Sequence, residues 1–274
     1  MDYIELQGVR VPALGFGTMR LTGDDGIAAI HRALDIGYRH IDTAANYGNE
    51  VEVGQAIRDS GVSRDDIFLT TKVARDNLAH DDLLRSVDES LRQLVTDYVD
   101  LLLIHWPNAE VPLGACLPAL EKAKATGQAR AIGVANFPVA LLEESIEHLE
   151  APLLCDQVEY HPFLSQHRVL DFLRSHEMML TAYCPLARGA AKDDPTLWEI
   201  GRTHGKTSSQ LALRWLLDQQ NVAAIPKAVS EHHARENFDV FDFVLSPDET
   251  ARIEALAGDH RIVNPALAPS WDAA

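Results

Sequence analysis

Two things are absent from this 274-residue chain: a long uninterrupted apolar run and an excess of positive charge. A membrane-spanning helix needs about 20 consecutive apolar residues, and no run approaches that. The opening residues, MDYIELQGVR, carry neither the basic segment nor the apolar core of a secretory leader. The 41 acidic residues outnumber the 24 basic ones and give a formal net charge of −17. That charge opposes long-range attraction to nucleic acid or an anionic membrane, so neither is expected as a partner. An anionic cofactor or substrate would need a locally positive pocket. Cysteine is scarce too: Cys116, Cys155 and Cys184 are odd in number and too widely spaced for a zinc or CxxC motif. Reduced thiols in a cytoplasmic, monomeric protein are the expectation. Gly/Ser linkers and charge-run boundaries are missing as well, which argues against two domains.

What is present is rhythm. At 46% hydrophobic and 24% charged, the composition is that of an ordinary globular protein long enough to bury a large core. Residues 3–11, YIELQGVRV, alternate loosely around Gly8 and predict a small hairpin. Short apolar runs rich in β-branched and aromatic residues then begin near Leu14, Arg39, Ile67, Tyr98, Ala129, Leu153, Met178 and Val222, with amphipathic helical patterns between them. In 81–94, Leu83, Leu84, Val87, Leu91 and Leu94 fall on one helix face. Thr207 with Gln210, and Ser246 with Glu249, fit capping boxes. The runs are nearly continuously apolar, like LLLI at 101–104, as parallel strands covered on both faces should be. Together they predict an α/β fold, one domain over residues 1–274: a single (β/α)8 TIM barrel with an N-terminal β-hairpin. Two helical patterns, 193–204 and 207–219, separate the seventh and eighth strands, and a C-terminal tail starts at Gly258. The rival, a doubly wound sheet, is disfavoured because LGFGTM supplies Gly15 and Gly17 but not the third glycine of a dinucleotide fingerprint.

Active sites of βα barrels lie at the carboxyl ends of the strands. That rule selects Asp42, Lys72 and His105, with Tyr47 in the turn after the second strand. Singly, each has an ordinary reading: a capping aspartate, a packed tyrosine ring, a solvated lysine, a core histidine. As a set they make chemistry. An ammonium near a buried phenol lowers its pKa from about 10 by roughly 1–3 units, so Tyr47 could deliver a proton. Asp42 would keep Lys72 charged, and His105 would orient a carbonyl oxygen. Such a site suits a carbonyl receiving a hydride. No side chain donates hydride, so a nicotinamide cofactor is required. His232 and His233 have no third spaced ligand in the sequence, so a surface helix is expected there and no metal.

HIDTAANYGNE, TTK, DLLLIHWP, AIGVANF, DQVEYHP, AYCPLARG and IPK…REN occur in that order along essentially the whole chain, and in this the chain resembles the aldo-keto reductase superfamily. Within it, the length and the closing DHRIVNPALAPSWD are similar to bacterial 2,5-diketo-D-gluconate reductases of the B type, which also reduce methylglyoxal. The resemblance implies a barrel that binds NADP(H) without a Rossmann domain. It implies Tyr47 as general acid, Lys72 as its pKa modifier, Asp42 as the lysine's partner and His105 as the carbonyl-orienting group. It places the nicotinamide against Tyr183 with the carboxamide near Ala135, Asn136 and Gln157. Gly17, Thr18 and Met19 would border the cofactor, and Cys184, Leu186, Arg188 and Gly189 would follow its pyrophosphate. Lys227, Ala228, His233, Glu236 and Asn237 would meet the adenosine, while Trp106 and Trp271 would join Met19, Tyr47 and His105 around a small carbonyl substrate.

The departures from the pattern also speak. Ala135 stands where the family has serine, removing one hydrogen bond. Lys227 is followed by Ala228 rather than serine, and the arginine six residues on is His233. Arginine is a permanent forked phosphate ligand and histidine is not, so use of NAD(H) beside NADP(H) is expected. The competing reading is an NADP(H)-binding redox sensor or regulatory subunit with negligible turnover, against which the intact tetrad argues. A barrel hydrolase or isomerase using Asp42 and His105 would need a metal or phosphate site that no residue set supports.

Overall fold

The computed structural model describes residues 1–272, so residues 273–274 of the expected domain lie outside the described residues. The chain opens with an antiparallel hairpin of β1 (Tyr3–Leu6) and β2 (Val9–Pro12), with Leu6 opposite Val9. Gln7 and Gly8 both have positive φ, 52° and 76°, as the tight two-residue hairpin turn demands.

Eight parallel strands follow: β3 (Phe16–Gly17), β4 (His40–Asp42), β5 (Phe68–Val73), β6 (Val99–Ile104), β7 (Ala129–Ala135), β8 (Cys155–Glu159), β9 (Met179–Tyr183) and β10 (Val222–Ala224). Each pairs with its sequence neighbour in one sheet. The sheet curls until its edges meet. Gly15 N donates to Ala224 O at 2.8 Å, Ala224 N to Ala13 O at 2.8 Å, and Leu14 bridges Ala224 in parallel. This is consistent with a (β/α)8 barrel. All starts fall within two residues of the expected runs, and β5 and β6 are buried along their whole length.

Helices α1 (Gly23–Ile36), α2 (Glu50–Asp59), α3 (His80–Leu94), α4 (Leu113–Ala125), α5 (Val139–His148) and α6 (His167–Ser175) occupy the first six crossovers. α3 buries Leu83, Val87, Leu91 and Leu94 as its pattern requires, with Leu84 only half-buried at the edge of that face. The long crossover to β10 holds α7 (Pro195–His204) and α8 (Ser208–Leu217), and α9 (Glu231–Phe238) and α10 (Pro247–Glu254) close the fold. Both expected capping boxes form, Thr207 with Gln210 and Ser246 with Glu249. From Gly258 to Asp272 the described residues run without helix or strand across the carboxyl-end rim, where Glu159 receives them: Ile262 N and Val263 N donate to its two oxygens at 2.7 and 2.6 Å.

Candidate active site

Lys72 sits near the end of β5 with no exposed side-chain surface. A buried ammonium costs several kcal/mol unless it is paired, and the end of β4 supplies the partner. Lys72 Nζ donates to Asp42 Oδ1 at 2.6 Å and to Thr43 O at 2.8 Å. Asp42 Oδ2 accepts from Gln157 Nε2 at 2.7 Å, so both carboxylate oxygens are held. Lys72 Nζ also reaches the hydroxyl of Tyr47 at 3.5 Å. That tyrosine ends a 3-10 turn, Ala45–Tyr47, closed by Gly48 in the left-handed conformation. Its ring meets His105, just past β6, edge-on at 5.5 Å between centroids. The four expected catalytic side chains are therefore contiguous.

Their proton affinities follow from surroundings. Burial pushes the pKa of Tyr47 above 10, and the nearby Lys72 charge offsets this only in part. The expected depression does not occur, because enclosure at the rim outweighs the ammonium. Burial pulls Lys72 down, but Asp42 and then Tyr47 more than compensate and its pKa is raised. His105 is pushed down to about 3 by burial and by Lys72, so its ring is neutral at ordinary pH. Its Nδ1 is buried without a partner among the described residues.

Asp42, Tyr47 and His105 line a cleft of about 1040 Å³, with Lys72 buried behind them. Its walls include Gly17, Thr18, Met19, Asn136, Gln157, Tyr183, Cys184, Leu186, Arg188, Gly189, Lys227, His233, Glu236 and Asn237. Thr18 is fixed by N and Oγ1 donating to Asp42 O at 3.0 and 2.9 Å. A Cβ on Gly17 would stand 3.0 Å from Ile225 O, so a larger residue there would crowd that wall. Asn136, with φ of 65°, donates Nδ2 to His105 O at 2.9 Å and accepts from Tyr183 OH at 2.7 Å. Gln157 Oε1 has no protein partner among the described residues. Ala135 and Ala228 are buried and do not line the cleft. Trp106 lines it; Trp271 does not, lying edge-on to Trp106 at 6.0 Å beneath the Arg261 guanidinium. An adjoining cavity of about 520 Å³ shares Asn46, Trp106, Arg188 and Val263 and adds Arg75.

Part of the cleft has no counterpart in the motif reading. Trp198 and Arg202 come from α7, residues 206–209 from its connection to α8 and that helix's start, and Ile225, Pro226, Arg20, Asn46, Lys192 and Val263 complete the wall. The two helices were legible but their facing the cleft was not, since only the barrel's closure brings them there. Arg20, Arg188, Lys192, Arg202 and Lys227 gather positive charge around an otherwise acidic molecule. Lys206 does not add to it, being paired with Asp239 and Asp242 at 2.8 and 2.7 Å. Glycine-close backbone, free amide oxygen, aromatic Tyr183 and a cationic rim together fit an extended dinucleotide with phosphates. No helix is long and apolar enough to cross a membrane among the described residues.

Known proteins are similar to this chain along most of its length. Residues 13–257 match the model of the Aldo/keto reductase family. The glyoxal reductase of Bacillus subtilis is 40% identical over 263 residues, covering 95% of both chains, and the methylglyoxal reductase DkgB of Salmonella typhi is 39% identical over 266 residues, covering 96% of this chain and 99% of its own. A crystal structure described as a 2,5-diketo-D-gluconic acid reductase B superposes with a TM-score of 0.98 at 49% identity, covering 100% of this chain and 98% of that one. A Bombyx mori aldo-keto reductase solved in complex with NADP superposes at 0.89 with 32% identity, covering 96% and 95%. A family match over most of the chain, and relatives at this identity along nearly all of it, agree with the geometry: the chain belongs to the aldo/keto reductase family.

Proposed function

We propose that this single-domain barrel reduces the aldehyde or ketone of small polar substrates, namely 2-oxoaldehydes, diketo-sugar acids and aromatic aldehydes, to alcohols. The observation that carries the reading is the buried Lys72–Asp42 pair with the Tyr47 hydroxyl 3.5 Å from Nζ, where Asp42 and Tyr47 line the cleft. A nicotinamide cofactor, NADP(H) with NAD(H) as a second choice, supplies the hydride when bound. Gly17, Thr18, Tyr183, Asn136 and the free oxygen of Gln157 would hold its reactive end, and Arg188, Lys227, His233, Glu236 and Asn237 its phosphates and adenosine.

The chain's own part is proton delivery and orientation. Tyr47 gives its hydroxyl proton to the carbonyl oxygen as negative charge develops there. Lys72 stabilises the phenolate left behind. Asp42, tied to Lys72 and Gln157, keeps the ammonium charged and aimed. Neutral His105 can donate one N–H to the same carbonyl oxygen, acting as a preorganised dipole without an extra charge. Trp106 and Val263 add apolar wall to the cleft and to the adjoining cavity.

Oxidation of NADPH and NADH with methylglyoxal, 2,5-diketo-D-gluconate and 4-nitrobenzaldehyde tests this, with Tyr47→Phe as control. Turnover that Tyr47→Phe abolishes is expected; a wild type that binds cofactor yet matches the variant on every substrate overturns the reading. With histidine at position 233, NADH turnover is expected beside NADPH. A preference for NADPH of about a thousandfold, or roughly 4 kcal/mol, overturns that part alone.

A further inference from the structure

The first turn of α9 holds the pair His232–His233, and one turn on the same helix presents Glu236. Residues four apart share a helix face, and His232 Nε2 lies 3.7 Å from Glu236 Oε2. One ligand atom from each of the three side chains lies within 4.8 Å of the others. Bonds of about 2.0–2.1 Å in a tetrahedron set ligand atoms roughly 3.4 Å apart, so His232 and Glu236 need only a small adjustment to chelate. Both histidines are exposed, with rings 5.4 Å apart, and nothing in their packing prevents that adjustment. Glu236 is already oriented: its Oε1 accepts a 2.6 Å hydrogen bond from Thr207 Oγ1, which leaves Oε2 on the His232 side. Outer bonds of this kind fix ligating carboxylates at metal sites. Two imidazoles and a carboxylate suit zinc, nickel or copper rather than magnesium or calcium, and the net charge of −17 favours cations at the surface.

We propose that His232, His233 and Glu236 form a divalent transition-metal site at the adenosine end of the cleft, and that its occupation weakens cofactor binding. His233 and Glu236 line the cleft and His232 does not. Ligation therefore draws two cleft residues onto the ion, and by linkage bound cofactor weakens the metal by the same factor. The coupling rests on the cofactor reading above; the metal site does not.

The test uses tag-free, full-length protein stripped with chelator. Calorimetric titration with ZnCl2 in the absence of cofactor is expected to show one equivalent bound, weakened at least about tenfold in His232→Ala. Because His232 is exposed and outside the cleft, that variant is expected to keep wild-type turnover without metal. NADPH affinity, followed by tryptophan fluorescence, is expected to fall on addition of Zn2+ in wild type and to be unchanged in His232→Ala. Equal Zn2+ binding by both proteins, as capture by the Cys184 thiol would give, overturns the site. Binding that depends on His232 but leaves NADPH affinity unchanged overturns the coupling. Metal-free protein that binds neither NADPH nor NADH overturns the cofactor reading and the coupling with it, while the calorimetry still decides the site.

Discussion

Lys72 is the buried cation with which Asp42 pairs, to which Tyr47 is hydrogen-bonded and which, second to burial, lowers the pKa of His105. Its ammonium has no exposed surface and a single anionic partner at 2.6 Å. Asp42→Ala would leave that charge uncompensated, and breaking a buried pair costs about 3–5 kcal/mol. The folded-state pKa of Lys72 is raised, so its contribution is present in full below the ordinary lysine value of about 10.4 and is lost only as pH rises through the raised one. Urea denaturation at neutral pH is expected to show the whole loss; a change under about 1 kcal/mol would mean that Thr43 O and water suffice. The identities of these four residues were legible because strand ends in a barrel converge. Their proton affinities were not. Spacing brings an ammonium to a phenol, but the direction of the Tyr47 shift depends on how much rim closes over the ring.

Among the elements, strands and helices were readable to within a residue or two because period and capping are local properties. The rim was less so, since α7, α8 and the tail reach it through tertiary contacts. Glu159 illustrates this. In the sequence it is one letter of DQVEYHP, yet in the fold it is fully buried, pairs with His161 at 3.0 Å and anchors the tail through Ile262 and Val263. Burial pushes its pKa up, but these hydrogen bonds hold it below the ordinary glutamate value. The tail it fixes carries Val263 into the cleft wall and walls the adjoining cavity from Ile262 to Leu267. Glu159→Gln would turn an N–H donor toward a tail N–H. Hydrogen bonds to charged groups are worth about 1.5–3 kcal/mol, so amide exchange at Ile262 and Val263 is expected to accelerate about ten- to a hundredfold. KM for the carbonyl is expected to rise with cofactor affinity unchanged. Protection equal to wild type would show that Trp271 and the rest of the tail hold without this anchor.

Across the whole molecule, acidity is managed by placement: carboxylates lie outside or in pairs, and cations ring the cleft. Glu50 departs from this, buried with only the Thr71 and Ser90 hydroxyls on its carboxylate among the described residues, and Asp156 departs further. It is fully buried in β8, and among the described residues its Oδ1 receives only a 3.5 Å bond from Phe137 N and its Oδ2 has no partner. Burial, with the tail's Asp272 adding to it, holds its pKa well above the ordinary carboxylate range. An acid whose folded-state pKa is raised binds a proton more readily folded than unfolded. The associated stability is present below the unfolded value of about 3.9 and is lost as pH rises toward the raised one. At neutral pH the fold therefore bears a penalty that asparagine, of nearly the same shape and permanently neutral, would not. Each tenfold change in proton affinity corresponds to about 1.4 kcal/mol, and each kcal/mol to about 2–4 °C in Tm for a chain of this order. Asp156→Asn is expected to raise Tm by at least about 2–4 °C at neutral pH, with the gain vanishing below about pH 3, where wild type is protonated in both states. A variant less stable than wild type at neutral pH would mean that the carboxylate is ionised in the fold and held by a partner, which its geometry contradicts.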